Sequence, residues 1–118
     1  ANIDINIDYD VVNVLATTFN ELRNGRSEDN TKLQELNSIM STAEAVSVYY
    51  QSALHSYYYA DGNINMSTVV ENLIGSVAKE NKDDISKLKH YFNNAVKIKA
   101  QKLGRRWQEY YESRNIIK

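Results

Sequence analysis

The chain has 118 residues, 42% hydrophobic and 25% charged, with a net charge of -1 and neither cysteine nor proline. That length lets a folded chain bury roughly two thirds of its unfolded surface, and the composition excludes general disorder, a disulfide framework and a thiolate metal site. The opening ANIDINIDYD is acidic, the reverse of a signal peptide, and no apolar run approaches the ~18 residues of a membrane span, so a cytoplasmic protein without membrane contact is expected, signal-independent export being left open.

With no proline and glycine at only four positions, long helices are the natural expectation. Ile3, Ile5 and Ile7 alternate with polar residues, but no second strand signal offers them a partner, so an extended lead-in that drops Ile7 onto the bundle as a staple is expected. Asp8 reads as an N-cap, and Val11 or Val12, Leu15, Phe19 and Leu22 follow at helical spacing, predicting a helix over about 9–23. Asn24-Gly25 ends it, glycine taking the left-handed C-terminal conformation without strain.

A heptad-like stripe of Leu33, Leu36, Met40, Ala43, Ser47, Tyr50, Leu54 and Tyr57 predicts a long second helix over about 29–59. Its small residues (Ser41, Thr42, Ala43, Ala45, Ser47) would let a neighbour approach closely. ADGN at 60–63 is the clearest turn. Beyond it INIDYDVVNVL at 5–15 is echoed by INMSTVVENLI at 64–74, and VYYQS at 48–52 by EYYES at 109–113, as an internal duplication or as chance in a chain of few letter types. Thr68 with Glu71 has capping-box spacing for a third helix. A fourth carries Ile85, Leu88, Phe92, Val96, Ala100, Leu103 and Trp107 on one face and reads through Gly104, the place where it would break if it breaks.

The fold expected is therefore all-α: a four-helix bundle of two short-long helical hairpins, about 8–59 and 67–114, in one domain over 1–118. Phe19, Leu36, Tyr50, Leu73, Phe92 and Leu103 are the expected core.

Motifs for catalysis are missing. His55 and His90 stand 35 residues apart, and the chain holds no HExxH, no Gly-rich phosphate loop and no GxSxG elbow, so a non-enzymatic protein without metal or cofactor is expected. The informative stretch is 86–108, where seven cations stand with no carboxylate between them, while the 85 residues before Ser86 carry five Lys or Arg against thirteen Asp or Glu. Neutralising phosphates releases condensed counterions, so Lys87, Lys97, Lys99, Lys102, Arg105 and Arg106 are candidates for contacting nucleic acid or an acidic protein surface, with Tyr91, Trp107, Tyr110 and Tyr111 available to stack on bases. On a wheel Lys87, Lys97, Lys102 and Arg105 point away from the apolar face, whereas Lys89, Lys99 and Arg106 border it and must snorkel or find a partner. Packing of the basic helix on this chain's own acidic half is the competing expectation.

Tyr57, Tyr58 and Tyr59 are the second candidate. Neighbours on a helix are rotated by about 100°, so three consecutive tyrosines cannot all face one core, and an exposed one is a favoured anchor for a protein partner, in a homo- or hetero-oligomer. In size and in segments such as SKLKHYFNNAVKIKAQK the chain resembles the small helical subunits of CRISPR effector complexes, which implies a subunit lying along nucleic acid in a larger nucleoprotein complex. The opening IDYDVVNVLATTFNEL is similar in style to the short helical partners of type VII secretion toxins, though no WxG turn is present. The second resemblance implies a protein-interaction module (a secretion partner, immunity protein or inhibitor), and no residue role is carried over from either.

Overall fold

In the computed structural model, residues 7–28, 32–33, 41–59, 61–80 and 82–117 are described. They are helical without strands, an all-α fold. Helix α1 (Tyr9–Asn24) begins where Asp8 accepts the Val11 amide on its carboxylate, and ends at Gly25, whose φ of 69° lets its N–H return to the Glu21 carbonyl. Both ends are as the caps predict. Ile7 is not a staple, being 55% exposed.

The second helix is shorter than the stripe implies. It runs Thr42–Tyr59 (α2), and the Ser41 hydroxyl accepts the Glu44 amide at its start. Lys32 instead forms an isolated bridge with Arg26, and the Leu33 amide bonds the Gly25 carbonyl, so a start at 29 is excluded; residues 29–31 and 34–40, Leu36 and Met40 among them, lie outside the described residues. The stripe also chose the wrong face. Tyr50 and Tyr57 are exposed, and α2 buries Val48, Ser52, Ala53 and Ser56, with Ala45 and Tyr49 packed beside them. The small residues that admit a neighbour are thus Ser52, Ala53 and Ser56: Asn72 reaches across to bond Ser52 at 3.0 Å, and both serine hydroxyls bond backbone carbonyls of their own helix.

Helix α3 (Met66–Glu80) is capped by Asn65, which accepts the Ser67 amide on its side chain and the Thr68 amide on its carbonyl, so Asn65 takes the place expected of Thr68 with Glu71. The predicted fourth helix is divided: α4 (Asp84–Tyr91), a π-helical turn (Phe92–Val96), α5 (Lys97–Lys102), α6 (Arg105–Glu112) and a 3-10 turn (Ser113–Ile116). The π turn has a sequence cause. Leu88, Phe92, Val96 and Ala100 are spaced by exact fours, which would drift about 40° per step around an α-helix, and a wider turn holds them on one line. All four are buried. Gly104, with φ 99° and ψ -169°, breaks the run between α5 and α6 in a region essentially closed to other residues, and Leu103 beside it is 54% exposed, not core.

Helix α2 packs on α1 and α3, α3 also on α4 and α6, and α6 on α1. Phe19, Leu73, Phe92, Trp107 and Tyr110 belong to one buried apolar cluster. The chain is 45 × 31 × 24 Å.

Candidate functional site

The basic segment does not form a uniform cationic face. Lys99, in the first turn after the π turn, lies inside, where its ammonium is 3.0 Å from Glu21, 3.6 Å from Glu28 and 5.5 Å above the Trp107 ring, with 6% of the residue exposed. Arg106 is held by Asp8 at 2.6 Å and donates to the Ile64 carbonyl at 3.0 Å. Asp8 also caps α1 and donates its amide to the Tyr49 hydroxyl, so its carboxylate ties α1 to α6 and its backbone amide adds α2. These are the two border cations that met partners, both in the acidic N-terminal half. Lys87 pairs with Asp84 at 3.7 Å. Lys97, Lys102 and Arg105 are exposed, and Arg105 reaches Glu109 only at 3.7 Å with its side chain 87% exposed, a pairing worth little in water.

The stacking aromatics are not available to bases. Tyr91, Trp107 and Tyr110 are buried, and of the four expected only Tyr111 is partly accessible, with Arg114 over its ring. They build a polar interior instead. The Tyr91 hydroxyl donates to Glu21 Oε1 at 2.7 Å, and the Glu28 amide donates to the other carboxylate oxygen. Because the Thr18 hydroxyl is spent on the Val14 carbonyl, the Tyr110 hydroxyl donates to Thr18 at 3.0 Å. Glu21 signals this network in the sequence only as a carboxylate among the apolar positions of α1, between Phe19 and Leu22.

Burial raises the Tyr91 phenol well above its ordinary value, with the nearby Tyr110 and Glu21 adding to it. Burial likewise raises Tyr110, opposed by the Thr18 hydrogen bond. Unfolded tyrosine ionises near pH 10. Between that pH and the raised folded values the native state holds more protons than the unfolded one, so the stabilisation is complete below about pH 10 and declines above it, at ~1.4 kcal/mol per pH unit for each tyrosine. Alkaline unfolding should begin near pH 10 and steepen. Phenolate absorbance should show Tyr91 and Tyr110 ionising only with loss of the helical circular dichroism; their ionisation near pH 10 in a chain that stays folded would contradict this.

The aromatic candidate lies at the far end of α2. Tyr57, Tyr58 and Tyr59 are 44%, 63% and 80% exposed, the Tyr57 and Tyr58 rings meet edge-on at 5.2 Å, and Tyr59 rests against His55. Tyr57 and Tyr58 continue an outward flank that starts with Val46 and Tyr50, both more than half exposed. Beside it an apolar groove of about 560 Å³ runs between α1 and α2, lined by Val12, Ala16, Phe19, Ala45, Val46 and Tyr49. Among the described residues no cluster of His, Cys, Asp and Glu could hold a metal ion, and no helix is long and apolar enough to cross a membrane.

The described residues form a small helical domain with a closed polar interior and an open aromatic flank. The chain belongs to the YehL-like AAA+ ATPase C-terminal domain family, whose model matches residues 1–118. It is 33% identical over 107 residues, 91% of its length, to the Escherichia coli (strain K12) protein called "Uncharacterized protein YehL", of which it spans 28%. No solved structure matches. The family differs from both groups that the sequence resembles.

Proposed function

We propose that this chain is a non-catalytic docking domain of an AAA+ ATPase-like protein, engaging another protein through the outward flank of α2. One observation carries this reading. Residues 46–59 contain no Lys, Arg, Asp or Glu in a chain that is 25% charged, yet Val46, Tyr50, Tyr57 and Tyr58 face solvent. Exposed aromatic surface without charge is the composition of interface centres, where tyrosine is enriched and charged residues are depleted. A second reading rests on Lys97, Lys102 and Arg105, whose exposure leaves a short cationic edge able to meet nucleic acid or an acidic protein surface. Lys99 and Arg106, held inside, and the buried aromatics weaken it.

A photo-activated cross-linker placed at Tyr58, and separately at Lys97, tests both. Adducts from position 58, mapped by mass spectrometry to peptides of a defined protein, are expected, together with no retention of single-stranded or duplex DNA or RNA at ~200 mM salt. Nucleic-acid binding that weakens steeply with salt, with a log K against log salt slope that falls by about three when Lys97, Lys102 and Arg105 are changed to Gln, would replace the first reading by the second.

A further inference from the structure

The flank of α2 has a register of its own. Ser47, Tyr50, Leu54 and Tyr57 are spaced three, four and three apart, the seam by which two helices pair. Ser47, Tyr50 and Tyr57 are exposed and Leu54 is half-buried, while the buried face of the same helix is built from Val48, Ser52, Ala53 and Ser56. One helix therefore carries two apolar faces, and the core uses only one.

From this seam we infer that the occupant of the flank is a second copy of this chain, with the two α2 helices antiparallel about a twofold axis level with Ser52. The inference rests on the docking reading above and names its partner. In that register Tyr57 lies opposite the partner's Ser47, Tyr50 opposite the partner's Leu54, and Tyr58 opposite the partner's Val46. Every large exposed side chain meets a smaller one, and the same pairs recur on the other side of the axis, as an isologous contact requires. Charge agrees with this, because a surface meeting its own copy sets like against like, and residues 46–59 hold no ionised carboxylate, ammonium or guanidinium to repel. A different protein would leave the self-matching of large and small positions without a cause.

The area sets the strength. Fully exposed aromatic side chains present roughly 150–250 Å² each, so three half-exposed tyrosines with Val46 and Leu54 give on the order of 800 Å² over both copies, below the ~1,200 Å² of stable interfaces. The dimer is a weak one, favoured where chains are held at high local concentration.

Sedimentation equilibrium across ~10 µM to 1 mM chain should show a monomer–dimer equilibrium, and Tyr50→Glu or Tyr58→Glu should weaken it more than tenfold with the thermal melt unchanged. Because the chain has no cysteine, single cysteines report the geometry. Gln51→Cys, near the axis, should give a covalent dimer with a short bis-maleimide, and Thr42→Cys, about 30 Å from its counterpart, should not. Linking at both positions would indicate parallel helices and overturn the register. A monomer at all concentrations with no linking would overturn the dimer. In that case a mapped adduct of a different protein from position 58 leaves the docking reading standing, and no adduct removes it too.

Discussion

Changing Phe92 to Ala should destabilise the domain by about 3–5 kcal/mol, a large part of the ~5–15 kcal/mol by which domains of this size are stable. Phe92 is fully buried at the first position of the π turn, its ring 4.6 Å from Tyr110 and edge-on to Tyr91 at 6.1 Å. Its removal deprives two aromatic rings of contact and leaves a void that helices on both sides cannot close, because each is held by hydrogen bonds from those same tyrosines to α1. Urea denaturation should show the midpoint falling. A melt like the parent's would mean that the π turn does not seat this residue in the core.

The second large effect lies in the pair Glu21 and Lys99. Each is nearly buried, the two are 3.0 Å apart, and Tyr91 completes the carboxylate's shell. Lys99→Met should cost about 3–5 kcal/mol, since it leaves a buried carboxylate without its counter-charge, and Glu21→Leu should cost a similar amount, since it removes the nearer counter-charge of Lys99 and leaves the buried Tyr91 hydroxyl without its acceptor. The double variant should recover part of the summed loss, as an apolar pair can replace a buried ion pair, while the Tyr91 hydroxyl stays without its acceptor. Additive losses in this double-mutant cycle would show that Glu21 and Lys99 do not act as a pair. Removing an exposed cation such as Lys97 should shift stability by no more than ~0.5 kcal/mol.

These two sites also mark how far the sequence could be read. Composition, missing proline, the Asp8 cap and the Asn24-Gly25 stop are local signals, set by backbone sterics and hydrogen bonding within a few residues, and they determined the helical class and both ends of α1. The asymmetry of charge was equally legible, and so was the aromatic excess at Tyr57, Tyr58 and Tyr59. Which face of α2 turns inward was not, because it carries apolar residues on both sides, and the choice went to the small set Ser52, Ala53 and Ser56, which lets α3 approach and leaves the larger tyrosines outside. The destination of the basic residues was decided at a distance as well. A wheel of 100° per residue puts Lys99 at the border of the apolar face; the wider π turn turns the chain by less than that per residue, and the carboxylate that receives Lys99 stands 78 positions earlier in the chain. Local chemistry fixes where helices start and stop, whereas the partner of a charge is selected by which helices meet, and that is settled only when the whole core packs.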